Sequence, residues 1–200
     1  MTKVQCEGVL FDLDGVLVDS TPAVARVWAW WAGQHGFDPD ETVRVAHGRP
    51  SIATIRELLP NADHDAENLE VERREIEDVE GVVPLPGALE LLQTLPLDRW
   101  AIVTSDDITR GKPDPEPYAK GARTLSFAPS DCIVVEDAPA GIRAGKAAGA
   151  RVVALQTTER DELLLEAGAS YIVRDCSAML LETSAGRLSF ELRNAQAAFR

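Results

Sequence analysis

The stretch Val9-Leu10-Phe11-Asp12-Leu13-Asp14-Gly15 decides the fold. Its apolar run is short, shows no alternation, and stops abruptly at two acids separated by one residue. Such a run predicts a strand buried on both faces, as in a parallel sheet, with both acids at its carboxyl end. Gly15 lets the chain turn sharply just beyond them.

The same pattern recurs downstream. Trp100-Ala101-Ile102-Val103 runs into Thr104-Ser105, and Cys132-Ile133-Val134-Val135 runs into Glu136-Asp137. Arg151 to Leu155 and Tyr171 to Val173 supply a fourth and a fifth strand. Helical stretches lie between them at Ala88 to Leu95, Pro117 to Leu125 and Ala140 to Ala148, the last closed by Gly149. Buried strands alternating with helices predict an α/β protein with a parallel sheet. The tail is expected to turn as a hairpin around Ser184-Ala185-Gly186.

Between the first two strands the pattern changes. Thr21-Pro22 opens a helix with Thr21 as cap and proline at the first helical position, and Val24, Val27, Trp28 and Trp31 follow at helical spacing. From Pro39 to Val79 the reading is helical, acidic and broken by turns at Gly48-Arg49-Pro50 and Pro60-Asn61. The charge run from Glu67 to Glu80 reads as a solvated helix face. Pro84-Leu85-Pro86-Gly87 marks the return to the sheet.

Composition narrows the function. At 200 residues and 45% hydrophobic content the chain can bury a core. A formal net charge of −13 lacks the basic footprint that nucleic acid requires, and it suits anionic membranes poorly. No apolar run is long enough to span a bilayer, and the first residues carry no apolar signal segment, so a soluble cytoplasmic protein is expected. Cys6, Cys132 and Cys176 show no ligand spacing; Cys6 and Cys132 lead into apolar runs and read as buried free thiols.

In an open parallel sheet the carboxyl ends of the strands share one edge, where ligands bind at the switch in strand order. That edge would collect Asp12, Asp14, Thr104, Ser105, Glu136 and Asp137, with Lys112 in a loop able to reach it. A carboxylate is a competent nucleophile toward phosphorus, and Asp12 stands directly at the strand end. Asp14, two residues on, fits a general acid and base. Clustered carboxylates need a cation among them, and Mg²⁺ takes oxygen ligands readily. Asp12, Asp137 and the backbone carbonyl of Asp14 would hold it. Lys112 supplies a point charge and Thr104 a hydroxyl to phosphate oxygens.

These residues resemble the motifs of the haloacid dehalogenase superfamily of phosphatases. Phe11 to Leu17 is similar to its first motif and Ile102-Val103-Thr104-Ser105 to its second. Gly111-Lys112-Pro113-Asp114-Pro115 and Val134-Val135-Glu136-Asp137-Ala138 are similar to its third and fourth. The resemblance implies a Rossmann-like core over residues 1–20 and 84–200, with a helical cap inserted at 21–83. It implies phosphate binding by Thr104, Ser105 and Lys112. Within the superfamily, His47-Gly48-Arg49, the segment from Gly111 to Tyr118, and Glu136 to Ile142 look like the glycerol-phosphate and 2-deoxyglucose-6-phosphate phosphatases. That likeness makes Arg49 a candidate substrate contact.

One departure stands out. The family places a helix and a strand between its second and third motifs, whereas here Ser105 runs straight into Asp106-Asp107-Ile108-Thr109-Arg110. About two dozen residues are missing by usual element lengths. The sheet is therefore expected to be one edge strand short, leaving Trp100 to Val103 as an apolar edge. Such an edge predicts either a less stable monomer or a homodimer paired through it. The gap itself is easily bridged, since the segment from Thr104 to Lys112 spans up to ~23 Å when extended.

The expected function is a Mg²⁺-dependent phosphatase acting on a small phosphorylated sugar or polyol through an aspartyl-phosphate. Two alternatives are a phosphomutase sharing that intermediate and a non-catalytic relic, the latter suggested by the shortened connection that carries Lys112.

Overall fold

Gly8–Phe11 (β2) is buried at every position and lies inside the central sheet of a computed structural model describing residues 2–46, 49–104, 108–184 and 186–197. The chain divides into two compact units, one of Met1–Asp19 with Pro84–Arg200 and one of Ser20–Val83.

In the first unit the other strands are β1 (Thr2–Cys6), β3 (Val18–Asp19), β5 (Trp100–Ile102), β6 (Cys132–Glu136), β7 (Arg151–Leu155), β8 (Tyr171–Val173), β9 (Met179–Ser184), β10 (Arg187–Leu192) and β11 (Gln196–Ala197). A short strand, β4 (Val83–Pro84), falls at the unit boundary. The six-stranded sheet has the order β11-β8-β7-β6-β2-β5. Its strands run parallel except β11, which pairs antiparallel with β8. Strand β2 comes first in sequence yet sits between β5 and β6, so the order switches there. The expected edge is found: among the described residues β5 has a single neighbour, and Ile102 is 39% exposed.

Alternation along the strands loads the two faces differently. Val9, Phe11, Ile133, Val135, Val153 and Leu155 point to one face. They meet α5 (Ala88–Thr94) and a second, antiparallel sheet of order β1-β10-β9, whose Val4, Phe190 and Met179 share the cluster. Leu10, Val134, Val152, Ala154 and Ile172 point the other way. There α6 (Glu116–Thr124), α7 (Pro139–Ala147) and α8 (Asp161–Ala167) cover them with Tyr118, Ile142 and Leu164. Helices thus cover one face, while a small sheet shares the other with α5.

The tail does form a hairpin, with β9 and β10 antiparallel and Arg187 opposite Ser184; Ala185 lies outside the described residues. Strand β1 and helix α8 are additional to the expected elements. All three cysteines are free and buried.

The second unit is helical: α1 (Thr21–His35), α2 (Pro39–Ala46), α3 (Ser51–Leu58) and α4 (His64–Glu77). The cap of α1 is Ser20 rather than Thr21, with the proline within its first turn. Val27, Trp28, Trp31, Ile55 and Val71 form its core. The Trp31 indole donates to Glu67 at 2.9 Å and stacks on Phe37, which satisfies a bulky side chain that is fully buried. Val71 is the one buried residue of α4, in keeping with a solvated charged face.

Candidate active site

Parallel pairing brings the ends of β2, β5 and β6 to one edge. The Asp12 N–H donates to the Val135 carbonyl at 3.0 Å, and the Val103 N–H donates to the Phe11 carbonyl at 2.8 Å. Asp12 therefore follows β2 between the two neighbouring strand ends, with Thr104 one residue beyond Val103 on one side and Glu136-Asp137 on the other. Thr104 is exposed, as is Asp14. Ser105 lies outside the described residues.

Lys112 joins the edge from its loop. Its ammonium lies 2.5 Å from Asp12 Oδ1 and 2.7 Å from Glu136 Oε1. Glu136 is completely buried and both its oxygens are engaged. Oε1 takes the Lys112 ammonium and the Tyr118 hydroxyl at 2.7 Å, while Oε2 accepts the N–H groups of Asp137 and Ala138 at 3.0 and 3.1 Å. That uses the lone-pair sites of a carboxylate. Asp137, 4% exposed, accepts from the Thr158 hydroxyl on Oδ2 at 2.6 Å.

The electrostatics follow from burial. Removal from water, reinforced by the charge of Glu136, pushes the Asp12 carboxyl up to about 6 against the pull of Lys112. Burial and then Glu136 push Asp137 up to about 8, with the Thr158 hydroxyl acting in the opposite sense. Burial works against the Lys112 charge, yet Glu136 and Asp12 hold its ammonium above the ordinary lysine range. Burial also raises Tyr118, as do Glu136 and Asp12, so its hydroxyl stays protonated as a donor.

Whether these residues suit a divalent cation can be judged from their donors. One carboxylate oxygen from each of Asp12, Glu136 and Asp137 falls within 4.8 Å of the others. Glu136 is saturated by four protein donors and is a poor ligand. Asp12 and Asp137 are raised by burial and by the charge of Glu136, a condition that a hard cation relieves. Gly15, at φ +73°, packs its backbone against this spot, since a Cβ there would lie 2.0 Å from Asp137 Oδ2. The donors left by Asp12 and Asp137 suit a hard divalent cation.

The structure thus brings together Asp12, Lys112 and Asp137. Arg49 belongs to the helical unit, where its guanidinium pairs with Glu57 at 2.6 Å. Glu136 and Thr158 join the site without having been singled out for a role. Glu136 carried a signal, an acid ending a fully apolar strand, because a buried charge requires partners. Thr158 carried none, as a loop threonine after β7.

A parallel sheet with a carboxylate at its switch point, a lysine on that carboxylate and a second acid at the end of the next strand is the arrangement expected of a haloacid dehalogenase-like hydrolase. The model of the haloacid dehalogenase-like hydrolase family matches residues 6–149, and the chain belongs to that family. It is 41% identical to hexitol phosphatase A of Escherichia coli (strain K12) over 76% of this chain and 84% of that protein. It is 34% identical to glycerol-1-phosphate phosphohydrolase 1 of Saccharomyces cerevisiae (strain ATCC 204508 / S288c) over 86% of this chain and 84% of the relative. These named relatives are phosphoric monoester hydrolases. The latter alignment runs over 210 positions, more than the 200 residues of this chain, so that relative carries residues this chain lacks. Among solved structures, a haloacid dehalogenase family hydrolase from Deinococcus radiodurans R1 with bound phosphate and sodium superposes with a TM-score of 0.60. Its identity is 26%, covering 86% of this chain and 92% of that one.

Proposed function

We propose that this protein hydrolyses the phosphate monoester of a small sugar or polyol, with Asp12 as nucleophile. The observation that carries the reading is the Lys112 ammonium 2.5 Å from Asp12 Oδ1 and anchored by buried Glu136. A lysine so held offers its charge to a phosphoryl group arriving at the same carboxylate. Names of the relatives supply the substrate class, a hexitol phosphate and a glycerol phosphate among them.

The steps balance on this chain's own groups. An Asp12 oxygen attacks phosphorus, and the bond from phosphorus to the alcohol oxygen breaks as Asp14 donates its proton to the leaving group. Water then attacks the aspartyl-phosphate, giving a proton to Asp14, and inorganic phosphate leaves with Asp12 restored. Exposed Asp14 can exchange protons with solvent between the steps. Lys112, Thr104 and Ser105 contact the non-bridging oxygens, and Arg49 of the helical cap unit contacts the substrate. Mg²⁺, held by Asp12, Asp137 and the backbone carbonyl of Asp14, supplies charge neutralisation for the phosphoryl oxygens when bound.

The test is phosphate release with Mg²⁺ over a panel including a hexitol phosphate, glycerol 1-phosphate and 2-deoxyglucose 6-phosphate. Wild type is expected to turn over at least one ester and Asp12→Asn none. A folded wild type that releases no phosphate from any of them would overturn the reading.

A further inference from the structure

Lys112 rides on a connection too short to contain the helix and strand expected there, and that connection is fastened to the start of α6. Glu116, the first residue of α6, accepts the Thr109 N–H on Oε1 at 2.8 Å and the Arg110 N–H on Oε2 at 3.0 Å. On the other side of Lys112 the chain is closed by a turn. The Asp114 N–H donates to the Gly111 carbonyl at 3.0 Å, and Asp114 Oδ1 accepts the Glu116 N–H at 2.9 Å. One carboxylate thus grips the backbone two and three residues before Lys112, while the turn brings the chain back to the same helix end.

Helix α6 is itself fixed to the sheet. Tyr118 is fully buried and bonded to Glu136. Gly121 lies so near the strands that an added Cβ would come within 2.9 Å of Val103 Cγ2 and 3.2 Å of Leu10 Cδ2. Glu116 therefore refers the loop to a rigid element. The Arg110 guanidinium also approaches Glu116 and Asp114, at 3.5 and 3.2 Å, but it is 70% exposed and such pairs contribute little. The backbone bonds, donated to an ionised acceptor, are the stronger part. The Thr109 N–H first, and then that of Arg110, hold the Glu116 carboxyl below the usual range, so it is charged near neutral pH.

We propose that Glu116 is the positioning residue for Lys112, holding the shortened loop so that the ammonium meets Asp12 and Glu136. The inference rests on the phosphate-binding role given to Lys112 above, and Glu116 acts through the loop without touching a reacting atom. Two readouts test it on the full chain with Glu116→Ala and Glu116→Gln. The first is the rate of acylation of Lys112 by an amine-selective reagent, followed by mass spectrometry with Lys3 on β1 as internal reference. Glu116→Ala is expected to raise Lys112 labelling at least about tenfold. Glu116→Gln, which keeps the side-chain volume and one acceptor oxygen, is expected to raise it less; it carries the comparison if the alanine variant does not fold. The second is phosphate release, where a displacement near 1 Å costs about 10²-fold in rate. Glu116→Ala should lose that much kcat/KM in wild type and nothing further in a Lys112→Ala background. Lys112 labelling that matches wild type in both variants, or an additive loss in the double variant, would overturn the inference. Raised labelling in a chain whose wild type releases no phosphate would sustain the positioning role and remove the phosphatase reading instead.

Discussion

Gly141 leaves room for Glu136: a Cβ at position 141 would lie 1.5 Å from Glu136 Oε1. Glu136 cannot move aside, because four donors fix it and its own side chain is fully buried. Glycine within a helix such as α7 ordinarily costs about 0.5–1 kcal/mol against alanine, so Gly141→Ala would stabilise an unconstrained helix. Overpacking costs typically about 1–3 kcal/mol, and here it also breaks a charged network. The clash should win. Urea denaturation is expected to show Gly141→Ala less stable than wild type by ~2 kcal/mol or more, with Lys112 displaced from Asp12 and phosphate release reduced. A variant at least as stable as wild type would show that Glu136 is not confined.

Removing Glu136 tests the same network from its centre. Glu136→Ala leaves the Tyr118 hydroxyl and two backbone N–H groups without their acceptor and the Lys112 ammonium with Asp12 alone. Breaking a buried pair by deleting one partner costs about 3–5 kcal/mol, and that loss is expected in equilibrium unfolding. Glu136→Gln keeps one acceptor oxygen but sets an amide donor against other donors, so its loss should be smaller yet clear. Equal stability of all three proteins would mean that water replaces the carboxylate.

The parts of this architecture visible in the sequence were those fixed by local burial. Gly8–Phe11, Cys132–Glu136 and Arg151–Leu155 are apolar throughout or nearly so, because a parallel strand is covered on both faces, and each ends where polar groups begin. Strand β1 was not visible. Only Val4 and Cys6 of Thr2–Cys6 are buried, and its partner β10 lies at the far end of the chain, with Thr2 opposite Leu192. Helix α8 is seven residues long with three leucines in succession, a pattern with no clear period. In the site, Asp12, Asp137 and Lys112 were legible from residue type and strand ends. The saturation of Glu136 and the bond from Thr158 to Asp137 were not, since both depend on the way separate segments meet.

The raised carboxyls make stability depend on pH with a definite sign. A carboxyl whose folded value exceeds its unfolded one binds its proton more tightly when folded. Its contribution is fully present below the unfolded value and is lost as pH rises through the folded one. For Asp137 that window runs from the ordinary 3.8 to about 8, and for Asp12 from 3.8 to about 6. Glu70, held down to about 2 by Arg73 and Arg74, acts in the opposite sense only below pH 4.5. Metal-free protein is therefore expected to lose stability between pH 5 and pH 8, by up to about 1.4 kcal/mol per pH unit for each raised carboxyl. Saturating Mg²⁺ should flatten the slope by stabilising the ionised carboxylates, and Asp137→Asn should flatten it without metal. Melting scans in chelator and in Mg²⁺ across that range would check it; a metal-free protein that gains stability toward pH 8 would contradict the burial of these acids as ionisable groups.

The open edge of the sheet carries the last expectation. β5 presents Trp100–Ile102 with no strand beyond it among the described residues, and Ile102 is 39% exposed. An apolar edge without a partner is a template for pairing with a second copy. Against this stands a formal charge of −13 on each chain, which repels copies at low salt. The balance should tip as salt screens that repulsion over a Debye length of about 8 Å at physiological ionic strength. Light scattering is expected to show monomer at low salt and an increasing dimer or larger species at high salt. Ile102→Lys places a charge on the edge at little cost to the core, because the side chain is already partly in water. It should keep the protein monomeric at high salt and leave its unfolding free energy within about 0.5 kcal/mol of wild type. A wild type that stays monomeric as salt rises, or an Ile102→Lys variant that associates as readily, would show that β5 is not the surface through which copies meet.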